Sequence, residues 1–248
     1  MKKVLALVLA AMLLISVSAF AEIEKISFGT NPEFPPFEYV SSTGILEGSD
    51  GTVYDGIDIA IVNKIAEYIG CEVDMASLEF DSLLIALANG QIDATIAGMT
   101  VTEERKLSVD FSTPYYTATQ VMIVAEDSDI ACAADMEGKT IAVVQGYTGE
   151  TCVGELGYEY EAFKKGTECV MELLNGKCDV VVLDSATAES YIADAQGLKI
   201  VEDNEVFASE EYAIAVAKGN TELLDAINAA IESLLADGTI AAISAEYI

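Results

Sequence analysis

The residues best suited to hold a small charged ligand lie in the segment that ends at Arg105. Gly98 exposes backbone, Thr100 offers a hydroxyl and an N–H group, and Arg105 lies in the first turn of a predicted helix. The planar guanidinium of arginine can bind a carboxylate through two parallel hydrogen bonds, which lysine cannot reproduce. We therefore predict that Arg105 binds an anion; the alternative is a surface ion pair with Glu103 or Glu104.

Two segments further along the chain could complete such a site. The turn Gly146–Gly149 opens a predicted helix, and the free N–H groups of a helix start attract an anion. Asp184 ends an apolar strand and could hold an ammonium group, although it could equally cap the helix that begins at Ser185. A carboxylate site and an ammonium site together describe the main-chain groups of an α-amino acid.

The elements that must position these residues alternate between helix and strand patterns. Apolar residues at four-residue spacing predict a helix over Ile57–Ile69, closed by Gly70. Asp81 predicts the N-cap of a helix over Ser82–Asn89, and the apolar run Ile92–Ala97 is typical of a strand buried on both faces. The other predicted elements are strands over Ile23–Gly29, Cys71–Ala76, Thr140–Val144, Val180–Leu183 and Tyr212–Ala217, and helices over Glu168–Asn175 and from Thr221 to the chain end. An α/β fold follows.

A short internal repeat favours two lobes over one large domain. Asn89–Gly98 matches Asn175–Asp184 in its Asn-Gly turn, its aspartate and the apolar strand that follows. The length of 248 residues suits either one large or two small α/β domains, and the repeat favours two. Because ligands bind beyond the carboxyl ends of strands in open α/β sheets, Gly98 and Asp184 would face each other across a cleft.

Composition excludes several partner classes. The formal net charge of −30 repels nucleic acid and anionic lipid, so we expect neither as a partner. Histidine, the most common general base and metal ligand, is absent, and the cysteine spacing fits no zinc pattern, so we expect no metal or other cofactor. Five cysteines cannot all pair within one chain; one bridge or only free thiols both remain open for Cys152, Cys169 and Cys178.

The first 21 residues have the pattern of a secretory signal peptide. A basic start is followed by the apolar run Val4–Val17 and by the cleavage pattern Ala19-Phe20-Ala21. A membrane anchor is the alternative, but the run is shorter than the roughly 20 residues that span a bilayer. No cysteine near the cleavage point could carry a lipid. We expect a monomer that is exported to the periplasm in soluble form.

Seven short motifs together resemble one known family. They are Gly29–Glu38, Gly56–Ile59, Phe80–Leu83, Ile96–Arg105, Asp110–Tyr116, Gln145–Thr148 and Ala236–Thr239. Their residues and order are similar to those of the polar amino-acid-binding proteins of ABC importers, family 3 of the bacterial extracellular solute-binding proteins. Each motif alone is weak evidence, but seven in the family's order are strong evidence, and the match covers essentially the whole mature chain.

The resemblance implies how the main-chain groups of a ligand would be held. Arg105 would grip the α-carboxylate, with the N–H groups of Thr100 and Thr148 beside it. The α-ammonium group would be held by Asp184, the Gly98 carbonyl and the Thr100 hydroxyl.

The resemblance also implies how the ligand side chain would be chosen. Phe34 and Phe80 would enclose it between their rings, and Asn31 and Tyr147 would set selectivity. Relatives often have aspartate where this chain has Asn31, so a fixed negative partner for a cationic side chain is missing there, although Glu33 is near in sequence. We expect a small polar or basic amino acid.

The implied fold is periplasmic-binding-protein-like. One doubly wound α/β lobe would comprise residues 22–115 and 210–248, the other residues 116–209, and two crossing strands would form the hinge. Closure around the ligand would present the protein to the permease subunits of an importer. The motif Gly-x-acid-x-acid of the family begins at Gly56 and Asp58, and Ala60 replaces its second acidic residue. We expect this motif on a helix away from the cleft.

Two alternatives from other functional classes share this fold. A cyclohexadienyl-dehydratase-like enzyme would need a positioned proton donor in the cleft, and Glu33 keeps that open. A ligand-sensing module would be tethered to a membrane helix or a further domain.

Overall fold

The structure, a computed structural model, describes residues 23–193 and 195–248. The predicted signal peptide over residues 1–21 lies outside this range. In the described residues the strands are β1 (Lys25–Thr30), β2 (Glu33–Phe34), β3 (Glu38–Val40), β4 (Leu46–Glu47), β5 (Val53–Asp55), β6 (Glu72–Ser77), β7 (Ala94–Thr95), β8 (Val109–Phe111), β9 (Tyr116–Ala125), β10 (Ile141–Val144), β11 (Tyr160–Phe163), β12 (Val180–Asp184), β13 (Leu198–Val201), β14 (Ser209–Tyr212) and β15 (Ala215–Ala217). The helices there are α1 (Ile57–Ile69), α2 (Phe80–Ala88), α3 (Thr148–Glu155), α4 (Gly166–Leu174), α5 (Ser185–Ile192), α6 (Thr221–Ala236) and α7 (Thr239–Tyr247).

The first lobe is built on a five-stranded sheet in the order β6-β1-β7-β15-β8. Strand β1 is parallel to both β6 and β7, whereas β15 runs antiparallel to β7 and β8. Helix α1 buries Ile57, Ile61 and Ile65, as their four-residue spacing predicts, and packs against α6 and α7. It ends at Gly70, whose φ of 83° is the left-handed C-cap conformation that glycine adopts without steric cost.

The second lobe has its own sheet, in the order β11-β10-β12-β9-β13. Strands β10, β11 and β12 are parallel, and β9 runs antiparallel to β12 and β13. Helices α3, α4 and α5 pack on these strands. The mixed α/β architecture in two lobes confirms the predicted fold class.

Strand β9 belongs to both the second sheet and the connection between the lobes. Its first four residues pair with β14, from Tyr116 opposite Tyr212 to Thr119 opposite Ser209, and its later residues pair with β12 and β13. The chain leaves the first sheet after β8 to enter β9, and it returns from β14 to β15. Two adjacent, hydrogen-bonded strands therefore lie where the chain crosses between the lobes.

The internal repeat has the same local structure in both lobes. Each copy runs from a helix through an Asn-Gly turn into a buried strand, and Gly90 and Gly176 have φ values of 67° and 65°. The side chain of Asp93 accepts the N–H of Ser27 at 2.8 Å, and Asp179 accepts the N–H of Thr140 at 2.8 Å. Each aspartate thus ties its turn to a neighbouring segment of the same lobe.

Three predicted elements differ in detail. Asp81 is not an N-cap, because α2 begins at Phe80 and the Asp81 carboxylate binds Lys164 instead. The run Tyr212–Ala217 is not one strand, because the chain passes there from β14 to β15. The run Ile92–Ala97 forms ladder pairs only at Ala94 and Thr95.

Within the described residues, no single helix is long and apolar enough to cross a membrane. Helices α6 and α7 reach that length and composition only together, with a bend of 75° between them.

Candidate functional site

Side chains from both lobes surround a small cavity of about 10 Å³, roughly the space of one water molecule. Eight of the nine predicted site residues line it, together with Ala97: Phe34, Phe80, Gly98, Thr100, Arg105, Tyr147, Thr148 and Asp184. The ninth, Asn31, is buried behind Tyr147 and bound to its hydroxyl. The structure therefore brings the predicted residues together, with the lobes closed on each other.

Arg105, the only arginine in the sequence, joins the two lobes. Its guanidinium donates to the carbonyl of Thr100 at 2.7 Å and to the carbonyl of Gly146 at 2.9 Å. The guanidinium carbon, Cζ, also lies 5.2 Å from the centre of the Phe80 ring. Within the described residues Arg105 forms no salt bridge, and Glu103 pairs with Lys106. The side chain is thus directed into the cleft.

Local hydrogen bonding fixes the backbone position of Arg105. It starts a single 3-10 turn, and the Thr102 hydroxyl oxygen accepts its backbone N–H at 3.1 Å. On the other lobe, Thr148 is the first residue of α3, so its N–H is among those that a helix leaves without an internal partner. Arg105 and Thr148 both line the cavity.

Asp184 is buried at the end of β12. It stands at the N-cap position of α5 but forms no cap hydrogen bond; its Oδ1 instead accepts the hydroxyl of Tyr212 at 2.6 Å. Burial and, secondarily, the nearby Glu210 raise the pKa of Asp184 to about 7. A cation in the cavity would favour the ionised carboxylate.

Aromatic rings fill the opposite part of the site. The Tyr147 ring contacts both predicted sandwich residues, with ring centres 4.6 Å from Phe80 and 5.4 Å from Phe34. Its hydroxyl donates to Asn31 Oδ1 at 3.1 Å, and Asn31 in turn donates to the carbonyl of Leu78. In this closed structure, a ligand side chain can lie against both phenylalanines only if Tyr147 moves.

The expectation that the Gly56-x-Asp58 motif lies away from the cleft is wrong. Asp58 Oδ2 accepts the N–H of Gly98 at 2.8 Å and the hydroxyl of Tyr115 at 2.9 Å. Gly98 has a φ of +51°, and a Cβ at this position would overlap the Phe34 ring, so only glycine fits. The first turn of α1 thus supports the backbone that lines the cavity.

Asp58 lies beside a second buried carboxyl group, that of Glu38 in β3. Burial raises the pKa of Asp58 to about 7, and burial together with Asp58 raises the pKa of Glu38 well above its usual range. Two carboxyl groups this deeply buried cannot both be charged at low cost, so the pair holds at least one proton near neutral pH.

Charged pairs cross the cleft beside the cavity. Lys164 binds Asp81 at 2.7 Å, Lys165 binds Glu33 at 2.6 Å, and Tyr191 donates to the carbonyl of Glu33. The lysines belong to the second lobe and the carboxylates to the first. Sequence analysis missed both lysines, because nothing local shows which residues meet when two lobes close.

These features define a two-lobed binding protein that encloses its ligand between polar groups of both lobes. Residues 26–248 match the model of the family described as bacterial extracellular solute-binding proteins, family 3. The chain belongs to this family, as the seven motifs predicted.

Similar proteins come from several bacteria. The arginine-binding extracellular protein ArtP of Bacillus subtilis is 30% identical, with 97% of this chain and 95% of that protein covered. The L-arginine-binding protein of Pseudomonas aeruginosa is 33% identical, with 100% and 96% covered. The solved structure of the arginine-, lysine-, histidine-binding protein ArtJ from Geobacillus stearothermophilus is 32% identical, covers 91% of this chain and 95% of that one, and has a TM-score of 0.83.

The buried carboxyl pair predicts that stability falls as pH rises. The raised pKa values of Glu38 and Asp58 mean that the folded state binds more protons than the unfolded state above about pH 4, and the resulting stabilisation is lost as pH rises through about 7. Between about pH 5 and pH 8, the free energy of unfolding should decrease by up to about 1.4 kcal/mol per pH unit for each such proton.

Urea unfolding across this pH range measures the effect. Glu38→Gln keeps the shape of the side chain, and its amide can donate a hydrogen bond to Asp58 without titrating. The stability of this variant should therefore depend less on pH than that of the wild type. Glu72→Gln, at an exposed position, is the matched control and should keep the wild-type slope. Equal slopes for Glu38→Gln and the wild type would contradict the shared buried proton.

Proposed function

We propose that this protein binds an α-amino acid with a polar or basic side chain between its lobes and delivers it to the permease subunits of an ABC importer. The observation that carries the proposal is the placement of a cation, Arg105, and a carboxyl group, Asp184, from opposite lobes on one cavity. An α-amino acid carries the complementary pair of charges on one carbon. Names of similar proteins, which include arginine- and histidine-binding proteins, agree with this ligand class.

The α-carboxylate is assigned to Arg105 and the backbone N–H groups of Thr100 and Thr148. The guanidinium presently donates to two carbonyls, which are weaker partners than a carboxylate. A ligand carboxylate can take over one or both of these donors through a bidentate interaction, and the N–H at the start of α3 favours the same negative charge.

The α-ammonium group is assigned to Asp184, the Gly98 carbonyl and the Thr100 hydroxyl. Tyr212 donates to Oδ1 of Asp184, and the ligand ammonium group is assigned to the same carboxylate. Asp58 holds the N–H of Gly98 and so supports the orientation of the neighbouring peptide group. Asn31, Tyr147, Phe34 and Phe80 are assigned to the ligand side chain.

Lobe closure is the proposed working motion. We place the first lobe at residues 22–115 with 210–248 and the second at 116–209, because the chain crosses between the sheets beside β9 and β14. Ligand contacts divided between the lobes are complete only in the closed form, so binding shifts the population towards closure. A monomer exported to the periplasm in soluble form remains our proposal for its cellular form.

A dehydratase-like enzyme is less well supported. Glu33, the carboxyl group that kept this alternative open, is bound to Lys165 at 2.6 Å. The Glu33 carboxylate is therefore engaged in an ion pair between the lobes. We propose binding without catalysis, so a bound amino acid should be recovered unchanged.

A thermal-shift screen of residues 22–248 against all twenty amino acids tests this function. One or a few polar or basic amino acids should raise the melting temperature, since they bind only the folded form. Arg105→Ala should abolish every such shift, whereas Lys106→Ala, a change at the next residue, should preserve them. A normal response from a folded Arg105→Ala variant, or no response from the wild type, would contradict the proposal.

Affinity should fall in mildly acidic solution. Because the pKa of Asp184 is raised to about 7, binding of an ammonium group at lower pH must first release a proton. The dissociation constant of L-arginine should therefore rise by up to about tenfold per pH unit below pH 7 and change little just above it. Calorimetry in two buffers of different ionisation enthalpy measures the proton released.

Two variants test whether the released proton comes from Asp184 or from another nearby acidic group, such as Glu210. Asp184→Asn should bind weakly and lose the proton release, whereas Glu161→Gln, at an exposed position on β11, should match the wild type. Unchanged proton release in a binding-competent Asp184→Asn variant would assign the titration elsewhere.

The pair between Lys164 and Asp81 should add modestly to closure. Half-exposed pairs contribute up to about 1 kcal/mol, so Lys164→Ala should weaken L-arginine binding by up to about fivefold at low salt. The difference should disappear near 1 M NaCl, where charges are screened. Lys177→Ala breaks a pair within the second lobe and should not change affinity; an equal loss in both variants would show that the cross-cleft position is irrelevant.

A further inference from the structure

One carboxylate oxygen joins the two lobes beside the ligand cavity. Glu210 lies in β14, opposite Ala118 of β9, where the chain crosses between the lobes. Its Oε2 accepts the hydroxyl of Thr100, in the first lobe, at 2.8 Å and the hydroxyl of Thr148, in the second lobe, at 2.6 Å. Neither the motifs nor their spacing pointed to this residue.

These bonds determine what the threonine oxygens can do. A hydroxyl has one hydrogen, and in both threonines that hydrogen is directed at Glu210. The Thr100 oxygen can therefore only accept a hydrogen bond from a group in the cavity, which suits an ammonium group. The Thr148 oxygen already accepts from Gln120 at 3.1 Å, so that hydroxyl is held from both sides.

The two hydrogen bonds of Glu210 can form together only when the lobes are closed. Thr100 and Thr148 belong to different lobes, and opening about the strands β9 and β14 must move them apart. A single oxygen cannot then stay within hydrogen-bonding distance of both hydroxyls. Hydrogen bonds to an ionised carboxylate are among the stronger ones in proteins, so losing one opposes opening.

We propose that Glu210 is a positioning residue that couples lobe closure to amino-acid capture. It fixes the Thr100 hydroxyl as an acceptor for the ligand ammonium group, and it links Thr100 to Thr148 only when the lobes are closed. This inference rests on the proposed function and adds a residue that would not itself touch the ligand.

The opposite role would be competition with the ligand carboxylate. Glu210 is near enough to Arg105 to raise the pKa of the guanidinium, against the lowering effect of burial. The guanidinium, however, donates to the carbonyls of Thr100 and Gly146, not to Glu210. Glu210 thus leaves the arginine donors to other partners, and the two roles predict affinity changes of opposite sign.

Titration with L-arginine by calorimetry and stopped-flow dissociation separates these roles. Glu210→Ala removes both bonds and should weaken binding by about tenfold or more, mainly through faster dissociation. Glu210→Gln keeps a neutral acceptor and should fall between the alanine variant and the wild type. Glu211→Ala changes the next, exposed residue of the same strand and should stay within about twofold of the wild type.

A double-mutant cycle shows whether Glu210 acts through the hydroxyl. Thr100→Val removes the hydroxyl but keeps the backbone N–H, so adding Glu210→Ala to it should have much less effect than in the wild type. Melting temperatures of all variants check folding, and the isosteric Glu210→Gln carries the test if the alanine variant does not fold. Tighter binding by both Glu210 variants, or full additivity with Thr100→Val, would overturn the proposal.

A ligand-free measurement separates this inference from the proposed function. Small-angle X-ray scattering without amino acid should give a larger radius of gyration for Glu210→Ala than for the wild type and Glu211→Ala, because a link between closed lobes is lost. An unchanged radius would count against the coupling. A wild-type protein that binds none of the twenty amino acids would instead contradict the proposed function, and the scattering comparison would still report on Glu210.

Discussion

A guanidinium held between two lobes is the constraint around which the cleft is organised. Burial lowers the pKa of Arg105 without removing its charge. The guanidinium therefore needs hydrogen-bond partners in both the open and the closed arrangement of the lobes. In the closed structure these partners are one carbonyl from each lobe, Thr100 and Gly146. Opening must break at least one of these bonds, and a ligand carboxylate can replace them. In the proposed function, the arginine therefore makes lobe closure and anion binding parts of one equilibrium.

Features set by near neighbours were predictable from the sequence. Helix α1 has the predicted bounds and the predicted glycine at its end, because apolar spacing and the cap are both local signals. The repeat of Asn-Gly turns, and the aspartate after each, correctly indicated equivalent units in two lobes. The motif order was sufficient to identify the family, and eight of the nine residues predicted from the motifs line one cavity.

Contacts between distant segments were not predictable in the same way. Glu210 and Thr100 are separated by 110 residues, and their contact depends on the register of β14 against β9. A continuous apolar pattern over Tyr212–Ala217 gave no sign that the chain changes sheets there. Asp58 was misjudged for a related reason: its helix lies largely outside the cleft, but its first turn reaches Gly98.

In the proposed site, selectivity for the ligand side chain would depend on Asn31 and Glu33, whose polar groups are already bound to residues of the second lobe. Asn31 carries no charge and is bound to Tyr147, and the charge of Glu33 is balanced by Lys165. A cationic side chain gains a full negative partner here only if Lys165 moves away from Glu33, at the cost of a cross-cleft pair. A neutral polar side chain has no such cost but must still displace the Tyr147 ring from the two phenylalanines. In this proposal, the preference for a cationic side chain depends on whether its ion pair with Glu33 outweighs the loss of the pair between Lys165 and Glu33. Residues of both lobes therefore contribute to it.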